Sequence, residues 1–169
     1  LALRYQNLLL LDHCCGLTMY HIGLPERGDR IKAELRAKMR RFGVKRLVVS
    51  CPNCYYQLKD EFAFQDVQVL TVYEALQKLF VPNLGQEEVY AVHDSCPDRF
   101  EGIIGGQVRA ALDRLGYQRV EMKHHGRNSV CCGSSGQLGH FHPEWAAEHE
   151  IQNLREAEEA GATVLLADC

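Results

Sequence analysis

Eight cysteines in 169 residues, arranged as two copies of one spacing, constrain this chain more than any other feature. They are Cys14, Cys15, Cys51 and Cys54, then Cys96, Cys131, Cys132 and Cys169. Cys15 precedes Cys51 by 36 positions, and Cys132 precedes Cys169 by 37. The adjacent pair recurs after 117 residues, and Cys51 recurs as Cys169 after 118. Each pair is followed at once by glycine, in "DHCCGLTMYH" and "SVCCGSSGQLGH". Neighbouring cysteines cannot bond to each other without straining the peptide between them. No basic-then-apolar leader is evident, so the grouping favours metal centres in a reducing compartment over disulfide staples. A Cys51–Cys54 disulfide in oxidised, metal-free protein is the alternative.

The flanks repeat as well. "GVKRLVVSC" and "GATVLLADC" each read as a helix-ending glycine, a buried strand and a cysteine. An amphipathic helix is expected after each Cys-Cys-Gly. The first covers about 27 to 42, with Ile31, Leu35, Met39 and Phe42 inward; the second covers about 143 to 160, with Ala147, Ile151 and Leu154 inward. Strands are expected at 7 to 11, 67 to 70, in "EVYAVHDSC" and in "YQRVEMK", and helices in "VYEALQKLF" and over 105 to 115. "CPNCYYQLKDEF" reads as a loop entering a short helix. Alternating strands and helices predict an α/β fold: two similar Rossmann-like units with mostly parallel sheets. The cysteines then fall at the carboxyl ends of strands, where such sheets bind ligands. The expected organisation is a first repeat over 1–81, a linker at 82–88 and a second repeat over 89–169.

The copies are incomplete in complementary ways. A full unit would read one cysteine, then Cys-Cys-Gly, then Cys-Pro-x-Cys, which is five thiolates; each copy shows four. Both ends of the chain therefore read as cuts. Thiolates are soft ligands that favour zinc, Cu(I) and iron–sulfur clusters. One zinc takes four ligands in a closed tetrahedron. Adjacent thiols fit more easily on two metal ions of a larger cluster, and the glycine lets the backbone approach and donate an amide to sulfur.

This pattern, "CCG"…"SCPNC" followed by "HDSC"…"SVCCGSSG"…"LLADC", resembles the cysteine-rich CCG domain. That domain occurs, usually in tandem, in heterodisulfide reductase and in iron–sulfur subunits of glycolate oxidase, lactate utilisation and anaerobic glycerol-3-phosphate dehydrogenase. The resemblance covers nearly the whole chain. It implies an iron–sulfur redox subunit that transfers electrons and belongs to an oxidoreductase complex of that kind, with reduction or formation of a disulfide as the sharper version. It implies a [4Fe-4S] cluster, the noncubane form included, with zinc as the alternative at one site. Matched by position, Cys14, Cys15, Cys51 and Cys54 would be ligands of the first centre, and Cys96, Cys131, Cys132 and Cys169 of the second. The implied partner is a flavoprotein or ferredoxin-like electron-transfer subunit in a hetero-oligomeric complex. The implied location is cytoplasmic, peripheral to the inner membrane through partner subunits. The contrasting readings are a zinc-stabilised interaction domain without redox role and a docking scaffold inside a larger complex.

Other residues divide between site and surface. His93, with Asp94, precedes Cys96 at a strand end and is the candidate catalytic residue, as an orienting or proton-moving group; a satisfied polar residue at a turn is the alternative. His124, His125, His140 and His142 crowd the second pair, and Tyr20 and His21 follow the first. Residues 27 to 46 hold nine Lys or Arg against two acids, a docking face for an acidic carrier or simply a solvated helix. The helix from Glu144 is acidic in turn. A net charge of −3 and a pI near 6.2 give no support for nucleic-acid binding. The longest apolar run, the leucines at 8 to 11, is too short to span a bilayer. "GIIGGQ" lacks the ending of a phosphate loop, and no Gly-x-Ser-x-Gly elbow occurs.

Overall fold

Strand pairing and helix packing divide the chain into two units, Leu1–Leu76 and Gln77–Cys169. The computed structural model describes residues 7–63, 66–82, 87–133 and 138–167. In the first unit, α1 (Leu17–His21) and α2 (Pro25–Arg41) follow the first Cys-Cys-Gly. Then come β1 (Arg46–Val49), α3 (Pro52–Ala63), β2 (Gln68–Thr71) and α4 (Val72–Leu76). Pro25 opens α2, where its missing N–H is no loss. Gly43, at φ 59°, closes it, and Val44 N–H reaches back 3.0 Å to the Met39 carbonyl. Thr71 and Glu74 cap α4 reciprocally: the Thr71 hydroxyl accepts from Glu74 N–H at 3.1 Å, and the Glu74 carboxylate accepts from Thr71 N–H at 2.8 Å.

β1 and β2 pair in parallel, from Arg46 opposite Gln68 to Val49 opposite Thr71. Leu35, Met39, Leu58, Phe62 and Cys15 form the core, with Leu11, Leu47 and Val69 packed against it. The expected strand at 7 to 11 is absent: 7–15 is irregular, and no strand among the described residues pairs with it. Leu8, Leu9 and Leu10 are exposed, and only Leu11 reaches the core. A β-strand needs a ladder partner, which a run of leucines does not itself supply. Phe42 is also exposed, because it lies past the last turn of α2.

The second unit runs β3 (Val89–His93), α5 (Ile103–Leu115), β4 (Gln118–Val120), α6 (Leu138–Phe141), α7 (Pro143–Glu159) and β5 (Val164–Ala167). Its sheet is parallel in the order β4-β3-β5. The chain leaves central β3 for one edge and returns to the other, so the carboxyl end of β3 lies at a topological switch point, the usual ligand position in such sheets. Ala91, Met122 and Ala157 are buried together there, with Val120, Ala162 and Leu165 against them.

The buried face of α7 differs from the apolar stripe expected for it. Ile151, Leu154 and Ala147 face solvent, while Ala146, Asn153, Glu156 and Ala157 are buried. Polar contacts account for this: Asn153 and Glu156 each bind groups of the loop that carries the second cysteine pair. No helix among the described residues is long and apolar enough to cross a membrane.

Candidate metal centres

The same turn is built at both cysteine pairs. Gly16 N–H donates to the Cys14 sulfur at 3.3 Å, and Gly133 N–H donates to the Cys131 sulfur at 3.3 Å. Both glycines are left-handed, at φ 86° and 83°. A Cβ on Gly16 would lie 3.0 Å from the Gly28 carbonyl of α2, and one on Gly133 would lie 2.8 Å from the Ala146 carbonyl of α7. Gly28 and Ala146 each sit three residues after the proline that opens their helix. Glycine is thus required twice over at each pair, for φ and for close approach to the next helix.

In the first unit His13 anchors the segment entering the pair. Its Nε2 lies 3.1 Å from the Ile31 carbonyl, and Lys38 Nζ lies 3.1 Å from its Nδ1. Cys51 ends the loop after β1, and Cys54 stands in the first turn of α3 rather than in a loop. Cys15, Cys51 and Cys54 come together. The Cys54 thiol hydrogen-bonds with both neighbours, lowering Cys51 to about 5 and Cys15 to about 6, against opposing burial. Backbone amides of Cys54 and Asn53 further lower Cys51, and that of Leu17 lowers Cys15. The same two hydrogen bonds push Cys54 strongly upward, so the shared proton stays there. The fourth thiol, Cys14, is exposed. All seven described cysteines are free of disulfides, Cys51 and Cys54 included.

Tyr20 packs on α2. A Cβ on Gly28 would meet its ring at 2.4 Å, its hydroxyl bonds Asp29, and Lys32 Nζ lies 4.7 Å from its ring centre. His21 is exposed. Of the basic segment, Arg36 and Lys32 pair with Glu61, while Arg27, Arg30, Arg40 and Arg41 are exposed.

In the second unit, "HDSCPD" turns sharply after β3. Asp94 receives both ends of the Arg109 guanidinium, at 2.6 and 2.8 Å, and Gly126 N–H at 2.6 Å. Burial raises the Asp94 pKa, but these contacts outweigh it and hold the carboxyl below its usual range. Gly105 makes room, since a Cβ there would lie 2.2 Å from the Asp94 carboxylate. Asp98 is buried and accepts from Ile104 and Gly105 N–H at 2.9 and 2.7 Å, capping α5. Between these fixed points, Cys96 is exposed.

His93 is different. It is 3% exposed, and neither ring nitrogen has a hydrogen-bond partner. Asn153 lies near it, but its amide points to the carbonyls of Cys131 (3.3 Å) and His149 (2.8 Å). Burial lowers the His93 pKa, keeping the ring neutral. The Ser95 hydroxyl and His149 Nδ1 are also buried without partners. His124, by contrast, is held by Glu156 through its ring (2.7 Å) and its N–H (3.0 Å). His125 bonds the Met122 carbonyl at 2.7 Å, His142 stacks on Trp145 at 4.2 Å, and His140 meets Phe141 edge-on. Cys169 lies outside the described residues.

Among the described residues, no set of three or more His, Cys, Asp or Glu side chains is arranged to hold a metal ion. A single ion needs every donor about 2.3 Å from one point. A cluster of several irons and sulfides is held by thiolates further apart. The donor chemistry fits such a group in both units: thiols with glycine amides on their sulfurs in each, two thiolate-prone cysteines, Cys15 and Cys51, beside Cys54 in the first, and four buried unpartnered polar atoms in the second.

The cysteine-rich domain of the CCG type matches residues 4–59 and again 90–169. This chain belongs to the CCG family. It carries two CCG domains in tandem, as the repeated spacing implies. It is also similar to the EtfAB:quinone oxidoreductase of Syntrophomonas wolfei subsp. wolfei, 28% identical over 154 residues. That stretch is 85% of this chain and 21% of the relative, so the chain spans about a fifth of that protein's length. Asp98 and Arg109 hold the loop that carries Cys96, and Asn153 and Glu156 hold the loop that carries the second cysteine pair, yet no cysteine spacing or apolar period marks them. An acid four residues before Gly102 at the head of a helix is the one visible cue, for Asp98.

Proposed function

We propose that this chain is an iron–sulfur electron-transfer module of an oxidoreductase complex. The observation that carries this reading is the turn built identically at Cys14–Gly16 and Cys131–Gly133, with an amide on sulfur in each. Cys14, Cys15, Cys51 and Cys54 would hold the first centre, and Cys96, Cys131, Cys132 and Cys169 the second. A cluster of the [4Fe-4S] type, noncubane if a fifth thiolate joins, would supply one-electron chemistry there. The low pKa of Cys51 and Cys15 favours metal binding, because the thiolate is the ligand. Gly16 and Gly133 donate to sulfur and exclude side chains from the turns. His93, buried and neutral at the end of β3, would hold or pass a proton.

The partner would be a flavoprotein or ferredoxin-like subunit in a hetero-oligomeric assembly on the cytoplasmic side. The relative's name, an oxidoreductase between an electron-transferring flavoprotein and quinone, favours a flavoprotein donor. The exposed Arg27, Arg30, Arg40 and Arg41 suit an acidic docking face, which mainly speeds encounter. Disulfide reduction or formation, as in heterodisulfide reductase, is the finer alternative. The exposure of the ligands Cys14 and Cys96, which would leave each centre open to a substrate sulfur, supports it.

Anaerobic purification tests the proposal. Brown protein containing iron and acid-labile sulfide, with visible absorption bleached by dithionite, is expected. Colourless protein with stoichiometric zinc would overturn it in favour of an interaction domain. The double variant C131S/C132S should lose the iron of the second centre and retain the first.

A further inference from the structure

His149 forms no part of the cysteine pattern, yet the second CCG turn rests on it. A Cβ on Gly133 would lie 3.2 Å from the His149 Cβ, so Cys132–Gly133 passes directly over this residue of α7. One helical turn on, Asn153 ties the same face to the Cys131 carbonyl. The carbonyl of His149 is satisfied by that Asn153 amide, but its ring Nδ1 is buried without any hydrogen-bond partner. Leaving such a nitrogen unpaired is unfavourable, because its desolvation is uncompensated. The other orphaned polar atoms of the unit, on His93 and Ser95, lie on and just after the last residue of β3, and His93 neighbours Asn153. The nearby histidines that have partners, His124 and His125, are bound to Glu156 and to the Met122 carbonyl. Unpaired groups therefore concentrate where the turn, β3 and α7 meet.

We propose that His149 Nδ1–H donates a hydrogen bond to a sulfur of the centre held by the second motif, and so raises the reduction potential of that centre. The inference rests on the iron–sulfur reading above. Its physical basis is that a donor binds sulfur more strongly when sulfur carries more negative charge, which is the reduced state; donors to sulfur are among the main determinants of cluster potential. His149 is thus a positioning and tuning residue, not a ligand.

The test is a redox titration of the anaerobic full-length protein, followed by electron paramagnetic resonance, alongside H149N and H149Q. Asparagine places an amide donor near the position of Nδ1. Glutamine is closer to histidine in size but places its amide near Nε2. The expected result is that H149Q shifts the midpoint of the second centre to lower potential while H149N stays near wild type, both with wild-type iron. A merely structural role predicts the reverse, since asparagine leaves the larger void. Unshifted midpoints in both variants, or equal shifts in both, overturn the proposal. So does loss of iron from both, which would make His149 a ligand. Should H149Q alone lose iron, H149M is titrated in its place under the same criteria. Wild-type protein without iron refutes the iron–sulfur reading instead, and iron content alone distinguishes that failure.

Discussion

Asp94 is gripped by Arg109 through two hydrogen bonds, at 2.6 and 2.8 Å, and its carboxylate also takes the Gly126 N–H at 2.6 Å. One buried carboxylate thus joins three elements: the loop bearing Cys96, helix α5, and the loop leading to Cys131. D94N keeps the size and removes the charge. It is expected to destabilise the second unit by about 3 kcal/mol, the scale for breaking one side of a buried pair, read from urea unfolding. Arg109 retains Glu121 at 2.8 Å, so the loss should not exceed that scale.

The same pair sets an acid limit. The folded pKa of Asp94 lies below its ordinary value of 3.8, so its stabilisation is fully present above 3.8 and is lost as pH falls through the folded value. Wild-type stability should therefore drop more steeply than that of D94N as the pH falls below 3.8. Parallel curves for the two proteins, by circular dichroism against pH, would contradict the assignment.

Two glycines of the first unit separate conformational cost from contact cost. Gly43 is left-handed, and a Cβ added there would meet no atom within 4 Å, whereas Gly16 is left-handed with the Gly28 carbonyl at 3.0 Å. G43A should cost about 1 kcal/mol, the left-handed penalty alone. G16A should cost on the order of 2 kcal/mol or more, because overpacking adds to it. Guanidinium unfolding of metal-free protein measures both without the linkage of a bound metal.

C54A removes the proton donor shared by Cys15 and Cys51. The apparent pKa of Cys51 should rise from about 5 toward the ordinary thiol value of 9.0. Iodoacetamide labelling of metal-free protein between pH 4 and 9, followed by peptide mass spectrometry, reads this directly. Labelling at Cys51 that stays fast at pH 6 in C54A would show that the amides of Asn53 and Cys54 suffice.

E156Q tests the seat of the second loop. Glu156 is buried, and although burial opposes ionisation, its bonds to His124 and Gln152 hold its pKa below the usual range. The variant should lose about 1–2 kcal/mol, with faster amide exchange at His124. Unchanged exchange there would mean that the loop is held elsewhere.

The cysteine spacing, the tandem repeat and the parallel α/β class were all legible in the sequence, since spacing and strand–helix alternation are properties of order along the chain. The helix-ending glycines at 43 and 161 and the strands before Cys51 and Cys169 were legible for the same reason. Tertiary structure alone decided three things. It left Leu8–Leu10 in solvent, because a strand exists only with a partner to bond. It turned the polar Asn153 and Glu156 of α7 inward and Ile151 and Leu154 outward, because hydrogen bonds to the Cys131 loop outweigh an apolar stripe that periodicity alone would bury. And it brought Cys15, Cys51 and Cys54 together and left His93 and His149 with buried, unpaired nitrogens, because proximity across elements and the lack of a partner are facts of three-dimensional packing that no local pattern encodes.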